Sequence, residues 1–206
     1  MQAGIPEDYF EQGDVSMKKY TIDRAKMSEL FPIIDEIKDP ETAQKITDVW
    51  KELFEQCTWD SVEEINFCPG INNFTLLSHI NVATEGTLAL SRVVRKHQDI
   101  DFDEDMIITL GLLHDVCKLV EYTSDGKGGS VKTELGRKWQ HGAAGAIAAH
   151  NAGFDLDMVH LIFTHTPLSK MKPEIKEGIL FCYADLADAD MLFEDNAQPI
   201  FLGSGH

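Results

Sequence analysis

Thr109-Leu110-Gly111-Leu112-Leu113-His114-Asp115-Val116-Cys117-Lys118 is the stretch that decides the fold. An apolar run with helical character ends in two adjacent polar residues, where core residues are expected. Aspartate is rarely buried without a partner, and an unpaired buried carboxylate is very costly. Neighbouring helix residues point about 100° apart, so His114 and Asp115 can converge on an ion lying between them. Gly111, one turn earlier on the same face, is expected to leave room for a metal and its waters. On this dipeptide alone, a buried His–Asp hydrogen-bonded pair explains the pattern equally well.

Working outward, further polar residues take inward helix positions. His79 shares a stripe with Leu76, Ala83, Gly86 and Leu90. His141 opens a face of Ala144, Gly145 and Ala148. His165 aligns with Met158, Leu161 and Ile162, and Asp185 with Gly178, Phe181 and Cys182. Four inward histidines and two inward aspartates on consecutive helices are hard to satisfy without a metal. His97, His150 and His160 fall out of phase and are assigned to solvent or structure. Asp188 lies one turn after Asp185 and reads either as its support or as the ligand itself.

These residues sit on a predicted all-α frame. Helices are expected over 23–38 and 40–56, then over 74–97, 103–121 and 141–151. Two more follow, one capped by Asp155 and ending before Pro167, the other opened by Pro173 and reaching about Phe193. Gly153 reads as a stop signal, and Cys68-Pro69-Gly70 as a turn. Any β-structure is expected only within 123–133, as a hairpin around Gly126, Gly128 and Gly129. Residues 1–72 form an irregular arm (1–22) and a helical extension without chemistry. The extension is expected to pack on the main domain or on a partner subunit in a homodimer. Residues 73–202 form the main domain, and 203–206 read as a linker or tag remnant, so His206 is set aside.

The order His79 … His114-Asp115 … Lys118 … His141 … His165 … Asp185 resembles the HD-domain superfamily of metal-dependent phosphohydrolases. Leu76-Leu77-Ser78-His79-Ile80 resembles its first motif, and Leu112-Leu113-His114-Asp115-Val116-Cys117-Lys118 its central one. Thr164-His165-Thr166 and Tyr183-Ala184-Asp185 resemble the later ones. The resemblance covers about 73–193 and implies an HD-domain-like helical bundle with an N-terminal helical extension. It implies that His79, His114, Asp115 and Asp185 bind one metal. It further implies that His141 and His165 add a second, with Asp115 bridging. Some dinuclear members carry another histidine where Thr166 stands here, so the second position is expected to be thinner and completed by water. Nitrogen and oxygen ligands without thiolate suit iron, manganese, magnesium or cobalt, one or two ions per chain. Lys118, beside Asp115 in the catalytic role, is expected to support the site or meet substrate phosphate. A surface lysine is the competing reading.

The resemblance implies hydrolysis of a nucleotide or small phosphoester by metal-activated water. The alternative within the same superfamily is a di-iron oxygenase cleaving a C–C or C–P bond. A regulatory module that only keeps the fold is the third reading. The 123–140 loop is the expected substrate loop: it carries Lys127, Lys132, Arg137 and Lys138 against Asp125 and Glu134. Lys170 and Lys172 add to it, and together they point to a small anionic substrate. A net charge of −17 argues against a nucleic-acid polymer. No run of 18 apolar residues suggests a membrane span. Four cysteines without a CxxC pair and the absence of a leader pattern lead to an expected cytoplasmic location.

Overall fold

The computed structural model describes residues 17–203. Residues 1–16 of the expected arm, and 204–206 of the expected tail with His206, lie outside the described residues. The architecture is all-α with two small hairpins. Helix α1 (Arg24–Leu30) starts on Asp23, whose side chain accepts from Lys26 N. The single helix expected over 23–38 is divided: a 3-10 segment, Pro32–Glu36, follows α1. Pro32 has no N–H to continue the α-ladder. Helix α2 (Pro40–Gln56) begins with Pro40 after the Asp39 cap.

Strands β1 (Asn66–Cys68) and β2 (Ile71–Thr75) pair antiparallel. This corrects the confinement of β-structure to 123–133. The Pro69-Gly70 turn makes the hairpin, with Gly70 at φ +91°, a conformation glycine adopts without steric cost. Helix α3 (Leu76–Gln98) is capped by Thr75. Helix α4 (Glu104–Leu113) is capped by Asp103 and stops at Leu113. A tight turn then leads to α5 (Lys118–Glu121), so the continuous helix expected over 103–121 is interrupted at its key dipeptide. Strands β3 (Tyr122–Ser124) and β4 (Ser130–Lys132) form the expected glycine-turned hairpin. A short α6 (Glu134–Lys138) follows it. Helix α7 (His141–Asn151) matches its expected span, and Asp155 caps α8 (Leu156–Thr164). Helix α9 (Lys176–Asp195) opens after Ile175, three residues beyond the start expected at Pro173.

Among the described residues, the main hydrophobic core runs from Ile22 through Trp50 and Leu112 to Phe181, so residues 22–65 share it with the later helices, while Phe67 and Ile71 form a smaller cluster with Ala189 and Leu192 of α9. Trp50 Nε1 donates to Leu112 O at 2.8 Å, stitching α2 to the end of α4. Helices α3 and α4 cross where Gly111 meets Thr84. A methyl at Gly111 would lie 2.2 Å from Thr84 Oγ1. The expected space for a metal over Gly111 is therefore filled by Thr84, and the glycine serves helix packing. Gly86 and Leu90 of the expected inward stripe are exposed, while Thr84, Thr87 and Leu88 are buried. The buried stripe of α3 follows the crossing with α4. No helix among the described residues is long and apolar enough to cross a membrane.

Candidate metal centre

His79 stands in the first turn of α3, held there by the Thr75 cap (Ser78 N to Thr75 Oγ1, 3.1 Å). His114 closes α4, its N–H reaching Leu110 O. Beyond it the chain tightens to three-residue turns, with Lys118 N donating to Asp115 O at 2.9 Å. This turn swings Lys118 against Asp115, Nζ to Oδ2 2.6 Å. Helices α7 and α8 bring in the last two histidines. Gly142 permits their close approach: a methyl there would meet Ile162 O at 3.3 Å and the His165 ring at 3.5 Å.

Each histidine has its Nδ1 occupied. His114 Nδ1 faces Gly111 O at 2.7 Å, and His165 Nδ1 faces Ile162 O at 2.6 Å. A carbonyl only accepts, so in both rings Nδ1 carries the proton and Nε2 presents a lone pair. His141 Nδ1 meets Glu121 Oε2 at 3.0 Å, and His79 Nδ1 meets Asp188 Oδ2 at 2.6 Å. All four Nε2 atoms converge on Asp115. Its Oδ2 lies 3.3 Å from His79 and 3.4 Å from His114. Its Oδ1 lies 3.3 Å from His141 and 3.7 Å from His165. Asp185 Oδ1 joins the first pair, 3.1 Å from His79 Nε2.

This arrangement is unfavourable without a cation. Lone pairs of His114, His141 and His165 face a carboxylate, and Asp115 Oδ1 is buried with no hydrogen-bond partner. A buried acceptor left unpaired is costly. Among the described residues, two clusters have ligand atoms close enough to share an ion: His79, His114 and Asp115, and Asp115, His141 and His165. Their donors are imidazole and carboxylate, which suit first-row divalent ions and magnesium.

The carboxylates, His79 and Lys118 also shift one another's protonation. Burial disfavours a charged His79, yet Asp115, Asp185 and Asp188 lift it to about 10. Burial would raise Asp115, but the Lys118 ammonium beside it holds it well below the usual carboxylate range. Asp185 is held down to about 2 against its burial, chiefly by His79. Lys118, also buried, is kept above the ordinary lysine value by Asp115.

Lys118 is only 5% exposed, which excludes the surface reading. Asp188 reaches the outer nitrogen of His79 and serves as its support. His97 and His150 are exposed, and His160 Nε2 faces Lys172 O at 3.2 Å. A cavity of about 140 Å³ opens over the centre, reaching His79, Asp115, Lys118, His141, His165 and Asp185. Lys127, Lys132, Arg137 and Lys138 of the expected substrate loop do not line it. Lys132 pairs with Glu121 at 3.2 Å, Arg137 donates to Lys132 O, and Lys138 pairs with Glu134. Arg137 and Lys138 are thus held within their own loop, and Lys132 is held by Glu121 of α5. Lys170 and Lys172 also lie outside this lining. Sequence reasoning missed Glu121, a buried carboxylate after the apolar pair Leu119-Val120, and the aromatic side of the cavity, Phe67, Phe193 and Phe201.

No curated protein and no solved structure gives a significant match to the chain. The family model described as HD domain matches residues 84–190. That span contains His114, Asp115, His141, His165 and Asp185, while His79 stands five residues ahead of it and is brought in by α3. With more than half of its length inside this match and the His–Asp cluster at the centre of its fold, the chain belongs to the HD domain family.

Proposed function

We propose that this chain is a metal-dependent phosphohydrolase acting on a nucleotide or small phosphoester. The observation that carries the reading is the division of Asp115: Oδ2 sits with His79 and His114, Oδ1 with His141 and His165. That division suits one carboxylate shared by two ions. The chemistry supplied by bound divalent ions is acidification of water and neutralisation of phosphoryl charge. Asp115 stays ionised and keeps both histidine pairs in register. Lys118 faces the cavity from 2.6 Å beside it and offers further N–H donors to a phosphoryl oxygen. In the reaction, a water oxygen bonds to phosphorus and the ester P–O bond breaks. The proton given up by water leaves with the alcohol.

The His141–His165 pair also favours a second reading, since a di-iron oxygenase needs both positions. Elemental analysis of chelator-free protein, with phosphate release and oxygen uptake measured side by side, tests the two. Two ions per chain with phosphate release are expected. Two irons with oxygen uptake and no phosphate release would replace the hydrolase by the oxygenase.

A further inference from the structure

We infer that the substrate carries a single phosphoryl group on a flat apolar body, and that Phe201 selects that body. The inference rests on the phosphohydrolase reading and goes beyond it by naming the substrate class. Two observations carry it. First, Lys118 is the only lysine or arginine lining the cavity over the metal centre among the described residues. The loop cations lie elsewhere, and the chain has a net charge of −17. A polyphosphate would bring charges that no further lysine or arginine of this lining meets, against a repelling field. One phosphoryl group is matched by the centre and Lys118.

Second, one wall of the cavity is aromatic and starts at the centre itself, where the Phe67 ring packs 4.5 Å from the His79 ring. Lys118 Nζ lies over the Phe67 ring, 4.3 Å from its centroid. Phe67 packs edge-on to Phe193 at 5.9 Å, and Phe193 edge-on to Phe201 at 5.7 Å. Phe67 is buried, whereas Phe193 and Phe201 are half-buried and offer surface to a ligand. Phe201 lies beyond α9 on a segment that folds back over the cavity. Asp190 straps this segment down: its carboxylate accepts from Phe201 N at 2.7 Å and from Leu202 N at 2.9 Å. Both hydrogen bonds are charge-assisted, and they set the ring beside Phe193. Aromatic surface above a single phosphoryl-binding cation recognises a flat apolar group joined to one phosphate.

The test is calorimetric binding of three non-ester probes to the full chain loaded with manganese. Phenylphosphonate is expected to bind about tenfold more tightly than methylphosphonate. Tripolyphosphate is expected to bind no more tightly than methylphosphonate. Phe201→Ala should cut the phenyl preference about fivefold, and Asp190→Ala, which frees the strap, should cut it in the same direction. Phe201→Leu, which keeps apolar bulk without the ring, should fall between parent and alanine, and it stands in if the alanine variant does not fold. Equal affinity for the phenyl and methyl probes, a preference untouched by these substitutions, or tightest binding of tripolyphosphate would overturn the inference. Failure of every probe to bind the metal-loaded parent would instead overturn the phosphohydrolase reading, and this inference with it.

Discussion

The two halves of the centre are built differently. His79 and His114 are 1% and 0% exposed and sit inside the core, between α3, α4 and α9. Their outer nitrogens are held by Asp188 and by a helix carbonyl. His141 is 13% exposed and is the first residue of α7. Its outer nitrogen depends on Glu121, which is itself held by Lys132 of the β3–β4 hairpin. The first half is therefore supported by buried helix packing. In the second, His165 is equally buried and held by a helix carbonyl, but His141 leans on a loop and one ion pair with a half-exposed lysine. Loops open locally at lower free-energy cost than cores, so the second position is expected to exchange its ion more readily.

Substitutions can break or sharpen this contrast. The largest effect is expected from Asp115→Ala, which removes the carboxylate common to both halves. Both ions should be lost, and turnover should fall on the order of 10³-fold, read by elemental analysis and phosphate release. His141→Ala should separate the halves, leaving one ion per chain. If both ions disappear together, the two positions are not independent. Glu121→Gln should be milder. It weakens the grip on His141 Nδ1, so the second ion should bind about 10- to 100-fold more weakly by competitive titration while the first is unchanged.

Stability tests the contrast from the other side. Gly111→Ala would push a methyl into Thr84 at the α3–α4 crossing. It should cost about 1–3 kcal/mol in denaturant melts, with relief when combined with Thr84→Ala. His150→Ala, on the exposed side of α7, should stay within about 0.5 kcal/mol of the parent and leave the metal content unchanged.

Much of the centre could be read from helix phase, and particular residues show where that reading stopped. His79, His114, His141, His165 and Asp185 each share a face with apolar or small neighbours, and the structure brings them together. Asp185 and Asp188 lie on the same face at three-residue spacing, so phase alone left them interchangeable. Their separation depends on which nitrogen of His79 each one meets. Glu121 escaped notice because its role arises across the chain, with His141 and Lys132, and leaves no local period. The basic residues of the 123–140 loop are conspicuous by charge, yet none lines the cavity, and Lys132, Arg137 and Lys138 are held by partners outside it. Cys68-Pro69-Gly70 was recognised as a turn. The strands around it are too short, at 3 and 5 residues, to display an alternating pattern.

By itself, the sequence determined the all-α frame, the Asp155 cap and the Gly153 stop, and the inward placing of His79, His114, Asp115, His141, His165 and Asp185. These are local properties, set by propensity, capping chemistry and the 3.6-residue period. Only the tertiary structure decided that α4 breaks at His114-Asp115, that Asp115 is shared between two histidine pairs, and that Phe201 returns over the cavity. Those outcomes depend on how closely helices approach at Gly111 and Gly142 and on ion pairs between distant segments. Such distances are set by packing between elements, which no single helix period encodes.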